Sequence, residues 1–243
     1  MIDFEAGKTF LTARGINLCA VFDCATLPGD AIRPMAATGI NPADFRRLVL
    51  LGNGGSGFWS SLEAFGFHTD DPVDHYARHL TRRLLHEFLD DPPSLLLYPG
   101  GAAAPLLTRL GELAGWGSPS PVFVGIHPDY GPWFAYRAAF LVDLDLPVDD
   151  VAPRPHPCDA CLDKPCLSAC PVGAARWPGP SDIDACARSR IEDGSPCADR
   201  CLARLACPVG AEHRYSLAQI RYHYLHSLPT IRSYYATQSE RSL

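Results

Sequence analysis

Apolar and polar positions follow two periods along the front of the chain. Continuous apolar stretches read as strands: "LCAVFDCATLP" up to Pro28-Gly29, the buried run Leu48–Leu51, and "PSLLLYPG". Between them the apolar residues recur at helical spacing. Phe58–Phe65 opens one helix. Val73, Tyr76, Ala77, Leu80, Leu84 and Leu85 line a second, with Asp71 or Thr69 available as its cap, and "APLLTRLGELAGW" forms a third. "VFVGIHPDYGPWFAYRAAFLVDLDLP" reads as two strands around a Pro/Gly turn. Strand and helix alternate, which predicts an α/β (α+β) layered domain over residues 1–150.

The pattern breaks at "DDVAPRPHP" (149–157), where prolines and charges make a linker-like stretch. A small Cys-rich domain is expected over 151–215. Helical spacing returns in "YSLAQIRYHYLHSL", so 216–243 reads as a C-terminal helical tail, a partner surface or a helix closing over the cysteines.

Composition narrows the function classes. The 243 residues are 47% hydrophobic and 20% charged, enough for a packed core. A formal net charge of −6 with scattered basic residues argues against nucleic acid as a partner. "MIDFEAGKTF" carries acidic residues where a signal peptide would be positive, and no apolar run approaches the roughly 20 residues of a membrane span. A soluble, cytoplasmic protein is expected, with no membrane partner.

Ten cysteines change the picture. Eight of them, Cys158, Cys161, Cys166, Cys170, Cys186, Cys197, Cys201 and Cys207, fall within fifty residues. In a reducing compartment such clustering points to metal or redox chemistry rather than disulfides. The first set reads C-x2-C-x4-C-x3-C-P, against the usual C-x2-C-x2-C-x3-C-P of two-cluster ferredoxins, so two residues, Asp163-Lys164 or their neighbours, are inserted. The second set, Cys186 followed by Cys197-x3-Cys201-x5-Cys207, ends in the same "CPVGA". In such ferredoxins the cysteine before proline crosses to the other cluster. Crossed pairing assigns Cys158, Cys161, Cys166 and Cys207 to one [4Fe–4S] cluster and Cys170, Cys186, Cys197 and Cys201 to another. At least one cluster is expected, and two if both looser spacings serve. The alternative is a structural zinc site, which His156 and His213 could join.

Two front-half stretches carry further candidate chemistry. "GNGGSG" (52–57) satisfies G-x-G-x-x-G, and Gly54 and Gly55 could admit a cofactor phosphate to a helix N-terminus; a plain tight turn accounts for it equally well. Around Gly131-Pro132 crowd His127, Tyr130, Trp133, Tyr136 and Arg137. Aromatic clusters are usually core, yet turn residues interrupt this one, so part of it is expected to face a cleft. His127 or Tyr130 would then donate a proton, and Trp133, Tyr136 and Arg137 would contact a cofactor, Arg137 through a carboxylate or phosphate. The plainer reading of Arg137 is a solvated strand end.

The segment His127, Pro128, Gly131, Trp133, Phe134, Ala135 and Arg137 resembles the "HPxFGGWFAIRGVVLL" stretch of the cobalamin-processing CblC (MMACHC) proteins, and Asp71-Pro72-Val73-Asp74 resembles their "TDPVDQ". "YGPWFAYRAAFLVDLDLP" directly before Cys158 is similar in order to epoxyqueuosine reductases and reductive dehalogenases. The resemblance spans roughly 45 to 215. It implies a nitroreductase-like sandwich domain binding cobalamin, or FMN in the same place, followed by a ferredoxin-like segment that passes electrons from its clusters to a corrinoid. An upstream electron donor and a corrinoid or small-molecule substrate are the partners implied. The chain lacks the reductase's "GLGWIGKNT" stretch and its C-terminal helical repeats, which argues against tRNA-base reduction. A ferredoxin-like electron carrier, its front domain a docking module, is the reading from another class.

Overall fold

The computed structural model describes residues 2–100, 104–152 and 154–241. Its chain contacts form two compact units: residues up to Gly117 with Phe134–Arg154, and Ser118–Trp133 with the chain from Pro155 onward. This differs from the boundary at 150 read from the linker. The segment 118–133 leaves the front unit and joins the cysteines. The tail over 216–243 is likewise part of the second unit.

The first unit is built on a mixed α/β pattern with one four-stranded antiparallel sheet, in the order β1-β2-β4-β3. The strands are β1 (Leu18–Asp23), β2 (Arg47–Gly54), β3 (Ser94–Tyr98) and β4 (Phe134–Val142). The central pair β2 and β4 is buried almost throughout, from Leu48 on β2 and from Arg137 on β4. The alternation of elements suggested layered α/β; the pairing is antiparallel at every step. A doubly buried strand is a continuous apolar run in either direction, so hydropathy marks burial without marking sense.

Helices α3 (Gly57–Phe65), α4 (Pro72–Arg83) and α5 (Ala104–Leu113) lie where the spacing predicts them. Pro72 occupies the first turn of α4, where its missing N–H costs nothing. Asp71 stands at the cap position, but its side chain does not cap the helix. Two helices went unread: α1 (Phe4–Thr12) and α2 (Gly29–Ala36). The signal for α1 was present, since the Asp3 carboxylate accepts from Ala6 N at 2.9 Å and Phe4, Gly7, Phe10 and Leu11 form its buried stripe.

Of the two strands expected across 122–147, only β4 forms. The preceding segment is a tight loop, in which His127 and Gly131 pair backbone to backbone. Pro128 and Pro132 remove ladder donors and Gly131 turns through φ 57°, so no strand can run through them.

The second unit consists of short helices: α6 (Pro157–Ala160), α7 (Pro165–Ser168), α8 (Ile183–Ile191), α9 (Leu202–Ala206) and the long α10 (Leu217–Arg241). Helix α10 packs on α8, where Arg190 donates to Tyr224 O at 2.9 Å and Tyr235 donates to Asp184. Among the described residues no helix is long and apolar enough to cross a membrane.

Candidate metal centre

Six of the eight cysteines of the second unit are presented by local devices. Pro157 and Pro165 start α6 and α7, placing Cys158 and Cys166 in first turns. At Cys166 the backbone N–H groups of Cys166 and Leu167 favour negative sulfur. The Cys158 N–H donates to His156 Nδ1 at 3.1 Å, and the Cys197 N–H to Ser195 Oγ at 3.2 Å. Cys201 caps α9 itself, its Sγ accepting from Arg204 N at 3.3 Å. Cys170 and Cys207 end their segments against Pro171 and Pro208.

The eight side chains fall into two rings. Cys158, Cys161, Cys166 and Cys207 surround a cavity of about 20 Å³, beside Ile126 and Lys164. Cys170, Cys186, Cys197 and Cys201 are among the residues lining a largely apolar one of about 290 Å³, with Val122 and Tyr224. The structure therefore groups the cysteines by the crossed assignment: each ring takes three from one motif and one from the other. Cys158 and Cys207 share a buried cluster with Ile126, and Cys166 shares one with Val122, Ala175 and Ala203, against which Cys170 and Cys201 pack. All ten cysteines are free thiols.

Burial, then the neighbouring sulfurs, pushes the Cys158 thiol up to about 11; Cys207 is the strongest of those neighbours. Burial and then Cys201 do the same to Cys186, also to about 11. Thiols that oppose one another's ionisation want positive charge at their centre. Among the described residues no three His, Cys, Asp or Glu side chains are placed to hold a single metal ion. Four thiols about a cavity are a donor set that iron–sulfur clusters share with all-cysteine zinc sites, and these residues fit an iron–sulfur cluster. The two histidines of the zinc alternative are engaged elsewhere. His156 Nε2 lies 2.9 Å from Pro119 O and its ring packs on Trp177. The His213 ring packs on Tyr130 with centroids 4.6 Å apart.

His127, Tyr130 and Trp133 belong to this same unit. His127 is 4% exposed, and its Nδ1 accepts from Asp129 N at 3.0 Å and Tyr130 N at 3.2 Å, leaving the neutral ring's proton on Nε2. The Tyr130 ring lies between His127 and His213. Beneath it, Gly131 and Gly210 meet backbone to backbone: a Cβ on Gly131 would overlap the Val209 carbonyl, and one on Gly210 would overlap Tyr130. The loop is thereby seated on the second "CPVG". Trp133 corrects an expectation. It is 0% exposed, packed with Tyr215 and Ile220, with the Arg204 guanidinium 4.7 Å from its ring centroid. Its position is a core position, not a cofactor-facing one.

The remaining candidates lie in the sheet unit. Asn17 clamps Gly54, accepting from its N–H at 2.8 Å and donating to its carbonyl at 3.2 Å, so that N–H is not available to a phosphate. Gly55 turns through φ 75° ahead of α3. Arg137 is 6% exposed, which overturns the solvated strand end. Its Nε donates to Asn53 Oδ1 at 2.6 Å and its guanidinium lies 4.2 Å from the Phe58 ring centroid. Tyr136 packs its hydroxyl over Gly111 and Gly117, and burial lifts that hydroxyl to about 12. Asn53 went unread, although an Asn inside "LVLLGNG" is the signal of a buried polar partner.

Fold and site together define a mixed α/β protein with an appended unit that gathers cysteines in two rings. No protein-family model matches the chain, and no curated protein matches it significantly by sequence. Solved structures do match in fold. Epoxyqueuosine reductase from Bacillus subtilis aligns with a TM-score of 0.54 at 16% identity, over 88% of this chain and 67% of that one. An epoxyqueuosine reductase with an epoxyqueuosine-modified tRNA-Tyr stem loop aligns at 0.55 and 16%, over 90% and 68%. A C. elegans B12-trafficking protein, CblC, aligns at 0.47 and 14%, over 93% and 96%. The chain has the fold of the epoxyqueuosine reductases over about two thirds of their length.

Proposed function

We propose that this chain is an iron–sulfur reductase, in which cysteine-held clusters deliver single electrons to a corrinoid carried by the sheet unit. One observation carries the reading: eight cysteines from two motifs form two separate rings of four, each completed by the Cys-Pro ending of the other motif. On this reading the second unit is ferredoxin-like and the first a nitroreductase-like cofactor domain. The fold likeness to epoxyqueuosine reductases supports the combination, and the cytoplasmic, reducing setting expected of clustered thiols goes with it.

Iron–sulfur clusters supply one-electron transfer, with potentials set by burial and by groups around the sulfurs. The chain's own part is to hold and shield. The four cysteines of each ring bind as thiolates, and Ile126, Val122 and Trp177 pack around them and keep water away. Proton delivery falls to the Tyr130 hydroxyl and His127 Nε2, both carried by the loop seated on the second "CPVG". Arg137, with Asn53 and Phe58, braces the sheet of the corrinoid domain from within. The substrate on this reading is a corrinoid or a small molecule; one structure of this fold holds a tRNA stem loop.

Anaerobic purification with iron, sulfide and zinc analysis, followed by EPR of the reduced protein, tests the reading. About eight irons and eight sulfides per chain are expected for two [4Fe–4S] clusters. Titration with hydroxocobalamin should shift its visible bands. A protein holding only zinc overturns the proposal. Clusters with FMN binding in place of cobalamin establish a flavin reductase, and clusters with neither establish an electron carrier.

A further inference from the structure

The lengthened spacing between Cys161 and Cys166 has a structural consequence. Of the four intervening residues, Leu162 is 89% exposed and Asp163 is also exposed, whereas Lys164 is half-buried and turns inward. Its Nζ donates to the Cys161 carbonyl at 2.8 Å, and its side chain lines the cavity ringed by Cys158, Cys161, Cys166 and Cys207. The backbone of Lys164 lies in the left-handed region, φ 38° and ψ 60°, immediately before α7. A residue with a Cβ adopts that conformation at a cost, and glycine or asparagine would serve the turn better. A lysine in that conformation points to a use for its side chain.

We propose that Lys164 sets the reduction potential of the centre held by Cys158, Cys161, Cys166 and Cys207, its ammonium stabilising the reduced state. The inference rests on the iron–sulfur reading of that ring. Reduction adds one electron to a centre that four thiolates already make negative, and breaks no bond. A cation beside the ring, partly shielded from solvent, lowers the energy of the reduced form more than that of the oxidised form. Lys164 is thus a positioning and tuning residue, and the inserted spacing is the means of delivering it.

The test is EPR-monitored potentiometry with dithionite as reductant, on the full chain purified anaerobically. Wild type is compared with Lys164→Met, Lys164→Gly and Lys164→Arg. Methionine removes the charge at similar length, glycine removes the charge while relieving the turn, and arginine keeps the charge. One of the two centres should become about tenfold harder to reduce in the Met and Gly variants, about 59 mV for a one-electron couple. The Arg variant should stay close to wild type. Loss of half the iron from the Met and Gly variants but not from Arg also supports the role, since it shows the charge holding the thiolates. Unchanged potentials at full iron content overturn this inference and leave the iron–sulfur reading standing. So does an equal shift or loss in all three variants, because it would mark a structural role. A wild-type chain that assembles no iron overturns both.

Discussion

Cys158 and Cys207, one from each Cys-Pro-ended motif, are buried in one cluster against Ile126. The contact ties the start of the first motif to the end of the second, and both residues line the same small cavity. Cys158→Ser and Cys207→Ser should therefore leave the same residual EPR spectrum and about half the iron. Cys170→Ser should instead resemble Cys186→Ser. If Cys207→Ser matched Cys197→Ser, each motif would hold its own centre and the crossed grouping would be wrong.

The approach of Gly131 to Val209 leaves no room for a methyl group, and both Gly131 and Gly210 have positive φ. Gly131→Ala and Gly210→Ala should each destabilise the protein by about 2 kcal/mol or more. Gly29→Ala, where a Cβ meets open space at the start of α2, should be neutral or stabilise by up to about 1 kcal/mol. Urea midpoints of the three variants measure the difference. Equal midpoints would show that the 127–131 loop is not seated as described.

Arg137 and Asn53 form a buried pair across β4 and β2. Arg137→Met leaves the Asn53 oxygen without this donor and should cost about 2–4 kcal/mol. Arg137→Lys should recover little of it, since an ammonium cannot reproduce the flat stack over Phe58. A double-mutant cycle with Asn53→Ala should return a coupling of about 1–3 kcal/mol. A coupling near zero would mean that the pair contributes nothing to the sheet unit.

Burial raises the Asp74 carboxyl above the usual range, outweighing the opposing pull of Arg78. A raised folded value means the native state prefers the protonated acid. That contribution is present below the ordinary carboxylate value of about 3.9 and is lost as pH rises through the folded value. At neutral pH the ionised side chain thus works against folding. Asp74→Asn should be more stable than wild type at pH 7, with the advantage shrinking towards pH 4. Denaturant midpoints across that range would show it; a pH-independent difference would point to packing instead.

Hydropathy spacing located most elements of the sheet unit, because a buried run such as Leu48–Leu51 or the apolar stripe of Pro72–Arg83 is a local property. The helices at Phe4–Thr12 and Gly29–Ala36 were equally local and were overlooked, the first despite its Asp3 cap. Asn53 and Lys164 were harder to read. One is a polar residue inside an apolar run and the other sits in an exposed insertion. Their worth depends on partners, Arg137 and the first ring, that only folding supplies.

The sequence by itself determined that eight cysteines cluster in two motifs with the same "CPVGA" ending. It also determined where the buried strands of the front unit lie. Tertiary structure alone decided the antiparallel sense of the sheet, the burial of Trp133 and Arg137, and the allegiance of Ser118–Trp133 to the cysteine unit. The physical reason is range. Periodicity and spacing record what a residue needs from its immediate neighbours, whereas the meeting of Gly131 with Val209 and of Cys158 with Cys207 joins segments far apart in the chain, and no local pattern encodes such a meeting.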